Sequence, residues 1–147
     1  MTDRHPRRAL VDLAEQEALA LASTMPVGRM VHVHDDRLFV APVNFVLERR
    51  DVLLLTGEGA ELLDAASENA RAALEVDDLV NWSQSGWSVL IRGQLSIVTN
   101  VEKIQLVLSL LHPWAEGDRS HLVCLSGQEV TGRRIDPGPG GTTTQPV

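Results

Sequence analysis

The chain has 147 residues, 44% of them hydrophobic, which is the size of one ordinary domain with enough apolar mass for a core. Its formal net charge of −7 repels nucleic acid and anionic membranes as a whole, so neither is an expected partner. The single Cys124 excludes an internal disulfide and a cysteine-based zinc site, no apolar run approaches a membrane span, and Asp12, Glu15 and Glu17 interrupt what would be a leader's apolar stretch, so a cytoplasmic location is expected.

Residues 1–9, with Arg4, Arg7 and Arg8, read as a flexible basic arm. Leu10, Leu13, Glu17 and Leu21 mark one side of a helix, which Asp12 and Glu15 would cap and Pro26 and Gly28 would end. "RMVHVH" and "RLFVAPVNFVLE" follow as strands joined by a "DDR" turn, the second with Phe39, Ala41, Val43, Phe45 and Leu47 on one face and Pro42 and Asn44 on the other. After another tight turn, "VLLLT" has the unbroken apolar run of a strand covered on both sides. A helix is expected at about 60–69, then a strand at "ARAALEVDD" and a polar stretch.

The longest alternation is "GWSVLIRGQLSIVT". It turns Trp87, Val89, Ile91, Leu95 and Ile97 inward and Ser88, Arg92, Gln94 and Ser96 outward, with Gly93 at a bend or bulge. Thr99 and Glu102 form a capping box for a helix carrying Val101, Ile104, Leu108 and Leu111, which stops at Pro113. "HLVCL" and "EVTGRRI" supply closing strands. The folded domain is expected over 10–136, followed by a disordered Pro/Gly/Thr tail over 137–147. Six or seven strands in hairpin order with three helices predict a mainly β (α+β) fold, a small antiparallel barrel with flanking helices.

"LLLTGEGAELLDA", residues 53–65, runs from a buried strand through a glycine-rich turn into a helix, an arrangement that can hold a phosphate on backbone N–H groups. Where a lysine would complete such a site stands Glu61. Exchanging Lys for Glu turns attraction into repulsion, about 2 kcal/mol in all or roughly thirtyfold in affinity. Residues 58–78 hold seven acids and one base, Arg71. The other reading of Glu61 needs no ligand: an acid in the first turn stabilises a helix by about 0.3–1 kcal/mol, and the glycines merely shape the turn.

His32 and His34 share one strand face, which suits either a metal site lacking an evident third ligand or a partly exposed edge. Asn44, an amide among apolar strand residues, needs a partner that a cofactor or a neighbouring backbone can supply. His112 and Pro113 end a helix. The chain has no tyrosine, and neither a nucleophile arrangement nor paired carboxylates at a defined spacing appear. Any enzyme chemistry must then belong to a bound redox cofactor.

"PVGRMVHVHDDRLFVAPVNFVLERRDVLLLTGEGAEL", followed by "EVDD", "GWSVLIRG", "HPWA" and "VTGRRI", resembles the pyridoxamine 5′-phosphate oxidase-like flavin-binding split barrels, in particular their short actinobacterial branch. The resemblance covers roughly residues 10–135 and rests on the order and spacing of these segments. It implies a six-stranded antiparallel split barrel, a homodimer that holds FMN in the groove between protomers, and an oxidoreductase acting on a small molecule.

By that likeness Pro42, Val43, Asn44 and Phe45 lie beside the flavin ring, and Thr56, Gly57, Glu58, Gly59 and Ala60 lie near its phosphate. Trp87, Ser88 and Trp114 approach the flavin, while Arg29 and Arg92 are the bases that reach the phosphate or ribityl chain. The family commonly reads T-G-E-G-S-K at the turn, whereas this chain has Ala60 and Glu61. Alternatives are a split-barrel dimer with weak or lost flavin binding that serves as a binding or structural protein, a deazaflavin-dependent reductase, and a haem-binding barrel using His112 or His121.

Overall fold

The computed structural model describes residues 9–111, 117 and 119–136. The basic arm, the His112–Pro113–Trp114 segment and the tail fall outside the described residues, apart from Ala9.

The chain opens with a short strand, β1 (Leu10–Asp12), which pairs antiparallel with the far end of the chain, Leu10 opposite Ile135 and Asp12 opposite Arg133. The first helix, α1 (Glu15–Ala22), therefore starts later than its apolar spacing suggests. Its N-cap is Ala14 with no side-chain cap bond, and the Asp12 carboxylate faces Arg133 at 4.0 Å instead. The strand partner lies more than a hundred positions away, where a local capping pattern cannot register it. The small Ala18 and Ala22 let α1 lie close on the sheet, and a Cβ on Gly132 would come within 3.1 Å of Ala18.

Next come β2 (Val27–His34) and β3 (Arg37–Asn44), joined by Asp35 and Asp36, both left-handed at φ 50° and 59°. Two left-handed residues match the right-handed twist of a hairpin, and short polar side chains tolerate that conformation best. The single strand expected over 37–48 is divided at Phe45, after which β4 (Val46–Glu48) turns into β5 (Asp51–Thr56). Then follow α2 (Glu61–Ser67), β6 (Arg71–Val80), β7 (Ser85–Val98), α3 (Val101–Leu110) and β8 (His121–Ile135). The two closing strands expected near the C-terminus are one, β8, continuous through Ser126–Gln128.

The sheet has eight strands in the order β3-β2-β6-β7-β8-β5-β4, with β1 added on β8. Its two outer strands, β3 and β4, are consecutive in the chain with only Phe45 between them. The sheet thus curls until its two edges meet in one run of backbone. Phe45 is 5% exposed and its N–H donates to the Pro26 carbonyl at 3.4 Å. This is a split barrel: counting 37–48 as one run and setting β1 aside leaves six barrel strands. The bulge expected at Gly93 is present, with Arg92 opposite Glu129 and Gly93 opposite Gly127, so that Gln128 is the extra residue. A side chain at Gly93 would collide with the Ser126 carbonyl oxygen.

The barrel interior holds Met30, Leu54, Leu74, Val76, Val89, Ile91, Leu95, Val123 and Leu125, closed off by Ala18 and Ala22 of α1 and Ala65 and Ala66 of α2. A second cluster on the other side of β5 and β8 packs Leu53, Leu122 and Cys124 under Val107 of α3. So β5 is covered on both faces, as its apolar run implies.

Two expectations need correction, one on β7 and one on α3. Ile97 is 38% exposed, because the sheet has curled past its core by that point of β7. On β3 the expected face holds: Phe39 stacks on His32, Val43 and Leu47 pack against the main core and Phe45 is buried, whereas Leu38 and Val40 of the other face are exposed. On α3 the buried residue is Val107, while Val101 and Leu108 are exposed, and the cap is Asn100, whose side chain accepts from Lys103 N at 3.0 Å.

Candidate functional site

Where the barrel splits, the end of β3 and the end of β5 stand apart and a cleft of about 490 Å³ opens between them. Val27 of β2, Pro42, Val43 and Asn44 of β3, and Leu54, Leu55 and Thr56 of β5 form its walls. Leu62 of α2, Leu108 of α3, Leu111 at its C-cap, and Arg119 complete it. Its size is that of a small-molecule site, and its lining has the usual character of one, apolar with few polar groups. Pro42 suits an edge strand, which needs no outward backbone donor. Asn44 Nδ2 donates to the Pro26 carbonyl at 3.3 Å, so a backbone partner answers part of the amide's demand.

Thr56, 9% exposed, ends β5 at the cleft with His121 of β8 as its strand partner. The turn beyond it is shaped by Gly59, whose φ of +74° suits a residue without Cβ; nothing lies within 4 Å of where that Cβ would be. Gly57 O accepts from Ala60 N at 3.3 Å, and Ala60 caps α2 with no side-chain bond. Glu58 Oε1 is 2.6 Å from His121 Nε2. Glu61 is exposed in the first turn of α2 together with Asp64.

Pro42, Val43, Asn44 and Thr56, drawn from two separate segments of sequence, thus meet in one cleft, and Gly57–Ala60 leads away from it. Phe45 points instead into the core. Arg29, Ser88 and Arg92 lie on the outer face of the sheet. Arg29 Nη1 is 2.7 Å from Asp77 and 3.4 Å from Glu75, and Arg92 Nη1 is 3.5 Å from both Glu129 and the Thr131 hydroxyl. Ser88 lies between Asp77 and Arg133 in the strand register, and Trp87 packs partly buried against the main core. Trp114 lies outside the described residues.

Burial and the neighbouring Asp77 push the Glu75 carboxyl up to about 7 in spite of Arg29, whose charge goes mainly to the nearer Asp77. The cleft residues missed from sequence are Val27, Leu54, Leu55, Leu62, Leu108, Leu111 and Arg119. The aliphatic ones resemble any core residue, and Arg119 precedes a strand whose partner is known only from the fold.

His32 and His34 share the inner face of β2. His34 lies 3.5 Å from Asp35 and 3.6 Å from Glu68, whereas His32 is 7% exposed, stacked on Phe39 with ring centroids 5.2 Å apart, and both its nitrogens lack a hydrogen-bond partner among the described residues. Burial holds its imidazole below the ordinary value, with Glu61 pulling upward and His34 adding to the depression.

The family model described as pyridoxamine 5′-phosphate oxidase matches residues 14–134. An uncharacterised protein of Mycobacterium tuberculosis is 31% identical over 132 residues, 87% of each chain. The structure of an FAD binding protein from Mycobacterium smegmatis is 30% identical with a TM-score of 0.68, covering 87% of this chain and 100% of its own. An FAD-binding protein from Mesorhizobium loti has a TM-score of 0.74 over 86% of this chain and 99% of its own at 18% identity, a likeness of fold.

Proposed function

The chain belongs to the pyridoxamine 5′-phosphate oxidase family, and from that premise we propose that it binds a flavin in the cleft at the split of its barrel and acts as an oxidoreductase on a small molecule. The observation that carries this reading is the convergence in one cleft of Pro42, Val43 and Asn44 with Thr56. A flat ring system fits between the β3 end and the aliphatic wall of Leu54, Leu62 and Leu108, which would exclude water from it. The Asn44 amide would read a polar ring edge, and Thr56 ends β5 at the same cleft. The flavin when bound supplies the electron-transfer chemistry; these residues bind and orient it. The FAD-binding relative from Mycobacterium smegmatis supports a flavin, and the choice between FMN and FAD is part of the test.

Self-association belongs to the same proposal. Val33, Leu38 and Val40 are 50%, 76% and 65% exposed, and Val33 is the strand partner of Leu38. They form an apolar patch on the outer face of β2 and β3 of the kind that marks an interface, and a second copy would cover it beside the cleft. A second reading, a barrel that has kept its cleft but taken another ligand, draws on Ala60 and Glu61, which present a methyl group and an exposed carboxylate where an anion would approach.

The test is the visible spectrum of the purified protein followed by FMN and FAD titration with flavin fluorescence quenching. A yellow protein, or saturable quenching at micromolar flavin that Val43→Trp weakens by filling the cleft, supports the proposal. Colourless protein that quenches neither flavin overturns it in favour of the second reading.

A further inference from the structure

We infer that Arg119 receives the anionic end of the cleft's ligand, so that a flavin phosphate is held by the loop leading into β8 and not at the start of α2. This rests on the flavin reading and adds to it the residue that discriminates a phosphorylated from an unphosphorylated ligand. Of the described residues lining the cleft, Arg119 alone carries a charge. An anion that leaves water for an otherwise apolar cleft must find a cation or bear an uncompensated desolvation cost.

Arg29, Arg92 and Lys103 do not line the cleft. Arg29 faces Asp77 and Glu75, Arg92 faces Glu129 on the outer sheet, and Lys103 is 3.0 Å from Glu48. The α2 side of the cleft is negative instead, with Glu58 in the turn and Glu61 and Asp64 in the first helical turn.

The fold explains how Arg119 comes to this place. His121 pairs with Thr56 across β8 and β5, and its ring meets Glu58 of the turn. The chain two residues earlier therefore runs beside the same turn, carrying Arg119 to the cleft mouth. Gly117 assists: a Cβ there would stand 3.1 Å from Arg119 Nη1, so the bare backbone leaves room for the guanidinium. A guanidinium presents several donors in a fixed fork that suits a phosphate. Arg119 already has an interaction of its own, so binding exchanges one partner for another and the gain is moderate.

The experiment is titration of the full-length protein with FMN and with riboflavin, which differ by the phosphate. The wild type should prefer FMN, and Arg119→Gln should weaken FMN by roughly tenfold while changing riboflavin by less than about twofold. Adding Glu61→Lys to Arg119→Gln should return the preference by restoring a cation at the other side of the turn. Wild-type flavin binding whose FMN-to-riboflavin ratio Arg119→Gln leaves unchanged overturns the role of Arg119 and spares the flavin reading. Failure of both flavins to bind overturns both.

Discussion

His121 Nε2 and Glu58 Oε1 stand 2.6 Å apart, which ties the glycine turn after β5 to the first residue of β8. The pair is solvent-exposed, 31% and 74%, so it adds less than about 1 kcal/mol to stability. Its effect lies in holding the turn against the loop that carries Arg119. His121→Ala is expected to leave the melting temperature nearly unchanged while weakening flavin by roughly fivefold, the equivalent of a pair of this strength lost from the bound state. Calorimetry and fluorescence titration on the same sample check this, and equal flavin affinity in the two proteins would refute the coupling.

Phe39 gives His32 a stacking surface but no hydrogen-bond partner. A buried polar group without partners costs about 1–3 kcal/mol, so His32→Leu, close in volume, should stabilise the fold by about 1 kcal/mol. The pH dependence has a definite sign. The unfolded imidazole takes its proton at the ordinary value of 6.5, while the buried one resists to lower pH. Below 6.5 the unfolded state therefore binds more protons, and stability falls as pH drops through that region. Urea unfolding at a series of pH values should show this decline in the wild type and less of it in His32→Leu; a steeper decline in the variant would contradict the assignment.

Glu75 predicts the opposite slope. Its folded carboxyl keeps a proton up to about 7, whereas the unfolded one releases it near 4.5. Between those values the folded state binds more protons, so this contribution is full below 4.5, declines as pH rises, and is gone above 7. Glu75→Gln keeps the hydrogen-bonding shape without the titration, and should be more stable than wild type above pH 7 but not below 4.5. Parallel pH profiles for the two proteins would rule this out.

Two glycines separate steric from conformational demands. Gly93 lies against the Ser126 carbonyl at the bulge, and Gly59 adopts φ +74° with open space around it. Gly93→Asn should cost about 1–3 kcal/mol or prevent folding, because backbone must move. Gly59→Asn should cost only a few tenths to about 1 kcal/mol, since asparagine tolerates the left-handed region. Thermal unfolding of both variants decides, and equal losses would mean that Gly93 is not sterically confined.

The apolar patch on β2 and β3 predicts the oligomeric state. Light scattering should give the wild type as a dimer and Leu38→Glu/Val40→Glu as a monomer with the same circular dichroism. A wild type that stays monomeric at high concentration would remove the second copy from the proposal.

Much of this protein follows from short-range patterns. The alternation along β7, the two-sided apolar run of β5, the hairpin at Asp35–Asp36 and the bulge at Gly93 are all written in residues a few positions apart, because pleat, helix period and φ preference act at that range. The order of its motifs was also enough to indicate the split-barrel family.

Other features became visible only in the folded chain. β1 forms because Ile135 waits for Leu10, and the break at Phe45 occurs because β3 and β4 must pair with different neighbours as the sheet closes. α3 buries Val107 on β5 and β8 with Ile104 and Leu111 partly buried beside it, while Val101 and Leu108 of the expected set stay exposed. Arg29 leaves the candidate site for Asp77 and Glu75, and Arg119 enters it through the pairing of His121 with Thr56. Such choices depend on which distant strand lies alongside, and sheet closure rather than local propensity decides that.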